Sequence, residues 1–148
     1  MFEECREFED KRPLIVCKEK RTEITFYNGS KETVAKISID GCVITDNTVK
    51  KCDYLLLCVK IKKAVFVEMK GNKVETAIKQ LSATLDNEMV KTPLAQYEKK
   101  AYAVVTGNPV FSRFQNAQDR FFRKHKGCTL RVVKSSHTYD LLSGSSRI

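Results

Sequence analysis

Apolar residues recur along this chain with two periods, and the change from one to the other outlines a fold. The first half has the spacing of strands. Leu14 to Cys17 is a short apolar run after Pro13, readable as a strand or a buried loop segment. Thr22 to Tyr27 and Thr33 to Ile39 flank Asn28-Gly29, and Ile37 to Ile44 holds Asp40-Gly41 between apolar residues. Both dipeptides predict hairpin turns. Cys52 to Val59 and Ala64 to Lys70 are the most apolar stretches, nearly continuous as in strands buried on both faces.

From residue 74 the period becomes helical. Val74, Ala77, Ile78, Leu81, Leu85 and Met89 form one stripe, with Asn72 as predicted N-cap and Glu75 as its capping-box partner. Thr92-Pro93 ends that stretch. Ala101 to Thr106 predicts a strand closed by Gly107-Asn108-Pro109. A helix follows from about Ser112 to Lys126, with Phe114, Ala117, Phe121 and His125 inward and Gly127 as its stop. Thr129 to Lys134 is a last strand. Residues 1–10, with Phe2, Cys5 and Phe8 three apart among glutamates, predict a short helix. The serine-rich end, 135–148, is expected to be loosely held.

This order predicts one mixed α/β domain over residues 1–148, a central mixed sheet with antiparallel hairpins flanked by helices. No internal repeat or linker divides it. At 148 residues and 42% hydrophobic the chain can bury one sizeable core, which excludes whole-chain disorder. No apolar run approaches the ~18 residues of a membrane span. The acidic start lacks the apolar stretch of a secretory signal, so a cytoplasmic location is expected. Six cysteines carry no C-x-x-C spacing and only two histidines accompany them, which gives a zinc site little support. Cys17, Cys42, Cys52 and Cys58 lie in apolar or strand-like runs and are expected to be reduced, behaving as small hydrophobes.

Charge adds a partner class. Lys and Arg number 27 against 18 Asp and Glu, a net +9 that favours a polyanion such as nucleic acid or an acidic membrane surface. Solvated lysines kept for solubility are the alternative. The densest basic cluster, Arg120, Arg123, Lys124 and Lys126, falls on the second predicted helix.

Three charged residues interrupt the two most apolar runs: Asp53, Glu68 and Lys70. A buried carboxylate needs a partner or a metal. If the runs form a hairpin turning around Lys60-Ile61, Asp53 lies directly opposite Glu68, with Cβ atoms roughly 4.5–5.5 Å apart. Lys70 then shares their face, because side chains alternate along a strand. Two such carboxylates repel unless a cation sits between them. A hard divalent ion fits the pair, Mg²⁺ above all and Mn²⁺ as a substitute. The Lys70 side chain is placed to orient a water for attack on a phosphodiester or, as the free amine, to deprotonate it. Two alternatives stay open: surface ion pairs with Lys70 or Lys51, and a one-residue slip of a hairpin whose Val59–Lys62 turn holds no preferred turn residue.

Cys52-Asp53, a hydrophobic hairpin, then Val67-Glu68-Met69-Lys70-Gly71 resembles the signature of the PD-(D/E)XK nucleases, the restriction-endonuclease-like fold. The amphipathic helix, strand and helix that follow are similar to that family's core, over about residues 33–134. Cys52 stands where the family's name has proline. The resemblance implies a Mg²⁺-dependent nuclease hydrolysing phosphodiester bonds, most readily in DNA. Asp53, Glu68 and the Met69 carbonyl would hold the metal, and Lys70 would position the water. Gln80 resembles a helix glutamine directed at the site in some members, or else is a solvated neighbour of the apolar stripe. Glu4 and Glu7 are candidates for a glutamate that members often carry on the first helix. Lys63, Lys73, Arg113, Arg120 and Lys124 are expected to grip phosphates, and a homodimer is implied because two strands must be cut. The competing readings are a non-catalytic nucleic-acid- or protein-binding module on the same scaffold, and an RNA-directed nuclease.

Overall fold

The computed structural model describes residues 1–147. The fold is mixed α/β, with ten strands in two sheets. The larger sheet has the order β1 (Arg6–Asp10), β4 (Val34–Ser38), β5 (Tyr54–Cys58), β6 (Lys63–Met69), β7 (Glu98–Val105) and β8 (Thr129–Lys134). Its first four strands pair antiparallel, while β6, β7 and β8 run parallel. Connection length sets that change, because parallel neighbours need a crossover. The crossover from β6 to β7 carries α1 (Val74–Asp86) and α2 (Glu88–Lys91), and that from β7 to β8 carries α3 (Gln115–Lys124). The smaller sheet holds β2 (Leu14–Glu19), β3 (Thr22–Tyr27), β9 (His137–Asp140) and β10 (Ser146–Arg147), in the order β10-β9-β3-β2.

Both faces of the larger sheet are covered. Ala35, Ile37, Leu55, Leu57 and Phe66 pack with Ala77, Leu81 and Phe121 of the helices. Leu56, Val65, Val67, Tyr102 and Val104 pack against Ile15, Ile24 and Phe26 of the smaller sheet. That is why β5 and β6 read as continuous apolar runs. Their hairpin has the expected register, from Tyr54 opposite Val67 to Cys58 opposite Lys63. Lys62, in the left-handed region at φ 52°, lets the turn close without a glycine.

Several expectations are corrected. Residues 1–10 are not a helix: a 3-10 turn over Glu3–Cys5 leads into β1, which pairs with β4. The edge of β4 offers a ladder of backbone partners, and that outweighs a short amphipathic helix. Asn28-Gly29 does not join a hairpin, since β3 pairs with β2 and β9 while β4 enters the other sheet. Asn28 instead pins the crossing segment, donating to the Arg12 and Glu32 carbonyls and accepting from the Glu32 amide. Asp40-Gly41 makes a tight turn with one bridge, Asp40 to Ile44, inside the long connection between β4 and β5. Asn72 does not cap α1, which begins at Val74 after Lys73 with no side-chain cap. The helix ends at Asp86, where Asn87 caps α2, and Met89 is 59% exposed rather than in the stripe. The C-terminal segment is not loose: β9 and β10 order it, with Tyr139 and Leu141 buried. Cys5 and Cys42 form a disulfide, so the thiol expectation holds for the buried Cys17, Cys52 and Cys58 but not for Cys42.

Candidate functional site

The site sits where β6 runs out toward α1. Glu68 is the second-last residue of β6 and only 1% exposed, in line with Phe66 and Ala64 on the helix-covered face. Asp53 immediately precedes β5, and its carbonyl accepts the Ile39 amide at 3.0 Å, so the antiparallel ladder continues through it. The Met69 N–H donates to Asp53 Oδ2 at 3.0 Å. Met69 thus meets Asp53 through its backbone amide, whereas its carbonyl is the expected metal ligand. The β5–β6 register, continued by one residue beyond Tyr54 and Val67, sets Asp53 opposite Glu68, and each carboxyl feels the other.

Burial governs their chemistry. It raises the Asp53 carboxyl above its ordinary range, against the pull of the Met69 amide. Burial, followed by the Asp53 charge, raises Glu68 further, and the nearby Lys70 ammonium opposes that only in part. Glu68 Oε1 is buried with no hydrogen-bond partner among the described residues. An acceptor left this way costs free energy unless a proton or a cation meets it. No three His, Cys, Asp or Glu side chains converge among the described residues. The donor set is thus two carboxylates, to be completed by backbone or solvent oxygen, and such a set suits a hard divalent cation.

The segment carrying Asp53 is latched onto α1. Thr84, fully buried, accepts the Cys52 amide at 2.7 Å while donating to the Gln80 carbonyl at 2.8 Å. Gln80 is half-buried, not solvated: its Nε2 donates to the Lys51 carbonyl at 3.2 Å, and its Oε1 is a second buried oxygen with no partner. Lys51 is buried too, donating to the carbonyls of Asp46 and Val49 at 2.9 and 3.2 Å. It anchors the loop before Asp53. Neither Thr84 nor Lys51 was marked as functional by pattern. The signal available for Thr84 was a hydroxyl on the apolar stripe between Leu81 and Leu85.

The other expected residues divide by position. Lys70 follows Glu68 at the carboxyl end of β6, its amide bonded to the Val104 carbonyl. Lys73 is exposed just before α1, and Arg113 is exposed on the 3-10 turn Phe111–Phe114. Arg113 lines a cleft of about 310 Å³ with Asn72, Thr106 and Asn108, beyond the carboxyl ends of β6 and β7. Arg120 and Lys124 rim a separate groove between α1 and α3, where Lys124 reaches Ser82 Oγ at 3.1 Å and Asp86 at 3.5 Å. Lys63 is a correction: it pairs with Glu98 at 2.8 Å, at the opposite end of β6, roughly 17 Å along the strand from Glu68. Glu7 is another. It pairs with Lys36 at 2.9 Å, and Lys36 points to the smaller sheet, where it donates to the Val16 carbonyl. Glu4 is exposed on the first turn.

The geometry defines a mixed α/β protein in which a buried glutamate at the carboxyl end of a central strand faces a half-buried aspartate immediately before the neighbouring strand. No family model, no curated protein and no solved structure matches the chain. No helix among the described residues is long and apolar enough to cross a membrane.

Proposed function

We propose that this chain is a metal-dependent nuclease of the PD-(D/E)XK type, acting on DNA. The observation that carries the reading is Glu68: a carboxyl 1% exposed, with one oxygen unpartnered, set against Asp53 and two residues from Lys70. A buried carboxyl oxygen without a partner favours a proton or a cation beside it. Asp53 and Glu68 would hold Mg²⁺ or Mn²⁺, which when bound supplies the charge that keeps both carboxyls ionised and the Lewis acidity that polarises a phosphodiester. The Met69 amide fixes the Asp53 rotamer, so that carboxylate is oriented before any ligand arrives. Lys70 extends from the strand end and orients the attacking water. Gln80 is a positioning residue, holding the Lys51 carbonyl and with it the turn into Asp53. Lys73 and Arg113 are placed to take backbone phosphates at the adjacent cleft.

The reading includes a homodimer, since cutting a duplex needs two such sites, and a cytoplasmic location, where that substrate is met. The Cys5–Cys42 bridge weighs against the location, because cytosolic disulfides are uncommon. The test is incubation of the pure protein with supercoiled plasmid, branched DNA and RNA, each with Mg²⁺, Mn²⁺ or EDTA. Glu68→Ala and Lys70→Ala run alongside. Metal-dependent cutting of DNA, lost in both variants, is expected. Cutting of RNA alone would transfer the activity to RNA. An inert protein that also fails to bind metal by calorimetry would leave a non-catalytic binding module.

A further inference from the structure

A second cluster of polar groups lies on the other face of the larger sheet. The parallel register of β7 and β8 sets Lys100 opposite Thr129 and Tyr102 opposite Arg131. Tyr102 packs with Val104 and Val133 in the core shared with the smaller sheet, so this quartet faces away from the helices and from Glu68. The turn after β9 roofs it. The Lys100 ammonium donates to the Leu142 carbonyl and the Arg131 guanidinium to the Gly144 carbonyl. Beneath that roof is a cavity of about 250 Å³ lined by Lys100, Tyr102, Thr129, Arg131 and Ser143. That is several times the ~30 Å³ share of one water.

Two features show that these groups do more than hold the turn. Tyr102 is fully buried, yet its hydroxyl has no hydrogen-bond partner among the described residues. A buried hydroxyl of this kind is normally paired. In addition, two cations line the cavity and no carboxylate does. Of the acids near these cations, Glu98 pairs with Lys63 at 2.8 Å and Asp140 is turned to the backbone, accepting the Leu142 and Ser143 amides at 3.2 and 2.9 Å. Gly144 completes the roof: at φ 77° a side chain there would be strained, and its Cβ would come within 2.8 Å of Tyr102 Oη and 2.9 Å of Arg131.

We propose that this cavity binds a phosphate group, either inorganic phosphate or the phosphate of a monoester. Arg131 and Lys100 supply charge, and the Tyr102, Ser143 and Thr129 hydroxyls supply hydrogen bonds. Guanidinium, ammonium and hydroxyl donors converging from two strands and a turn match a tetrahedral oxyanion with several acceptor oxygens. The site stands independently of the carboxylate pair.

The test is calorimetric titration with inorganic phosphate and with a nucleoside 5′-monophosphate, against chloride at matched ionic strength. Saturable binding is expected, weakened about tenfold or more in Tyr102→Phe, which loses one hydrogen bond to a charged ligand. Arg131→Gln should abolish it. Tyr102→Phe removes a single oxygen and keeps the core packing, so it decides the question if Arg131→Gln fails to fold. The double change Lys11→Gln, Lys18→Gln at two exposed lysines lowers the net charge by two, against one for Arg131→Gln, and should leave the affinity intact. Either probe binding in this pattern supports the site and identifies its source as free anion or ester. Absence of saturable binding, equal affinity in Tyr102→Phe, or loss in the Lys11/Lys18 variant would overturn the proposal.

Discussion

Replacing Glu68 by glutamine exchanges one oxygen for an NH₂ group in a side chain that is 1% exposed. Its consequence can be worked out with a sign. In the unfolded chain the Glu68 carboxyl ionises near its ordinary 4.5. In the folded chain burial and Asp53 keep it protonated to a much higher pH. Between those two values the folded state holds one more proton than the unfolded state, so stability is greatest at low pH and falls as pH rises. The slope is about 1.4 kcal/mol per pH unit for one proton. From pH 5 to pH 7 the wild type should therefore lose about 3 kcal/mol relative to Glu68→Gln, a visible share of a total of roughly 5–15 kcal/mol. Urea denaturation at pH 5, 6 and 7 in EDTA reads this directly from the midpoints. Adding Mg²⁺ should offset the loss in wild type, because a bound cation favours the ionised pair, and should do nothing for the variant. Parallel pH slopes for the two proteins would refute a buried, protonated Glu68 and, with it, the basis of the proposed site.

Lys70→Met should retain metal binding by calorimetry and the steep pH slope of the wild type, yet lose about 10²-fold in cleavage rate, as expected when the attacking water is no longer oriented. Thr84→Val deprives the Cys52 amide of its acceptor and should cost about 1–3 kcal/mol in urea unfolding, with faster hydrogen exchange at that amide. Cys42→Ser opens a loop spanning 37 residues and should cost about 3–4 kcal/mol under oxidising conditions. With a thiol reductant present, wild type and Cys42→Ser should unfold together.

The parts of the fold that could be read from sequence are those decided by neighbours along the chain. The β5–β6 hairpin is one: two apolar runs joined by four residues have few ways to pair, and the register places Asp53 and Glu68 together. The α1 stripe is another, from Val74 to Leu85. Partner choice across the chain was hidden. Asn28-Gly29 carries the chemistry of a hairpin, yet the chain changes sheets there, because β3 finds better neighbours in β2 and in β9. The first ten residues show a helical spacing that the open edge of β4 overrides. At the site, Glu68 and Lys70 stand out because charge interrupts an apolar run. Thr84 and Gln80 act through hydrogen bonds to the backbone at residues 51 and 52, contacts that no spacing rule within one helix can announce.

The pairing of β3 with β9 also constrains the order in which the molecule can be made. Glu23 and Ser135 are joined by hydrogen bonds across 112 residues of chain. During synthesis, β2 and β3 emerge together and can form their hairpin, but the inner edge of β3 has no partner until β9, more than a hundred residues later, has been translated. Ile24 and Phe26, and the opposing face that includes Val67, Tyr102 and Val104, are covered fully only at that last step. Contacts so distant along the chain slow folding, and an open strand edge beside apolar surface invites association with other chains. One of the two cores therefore stays unsealed until β9 is available, and the arrival of that strand is the event that closes it.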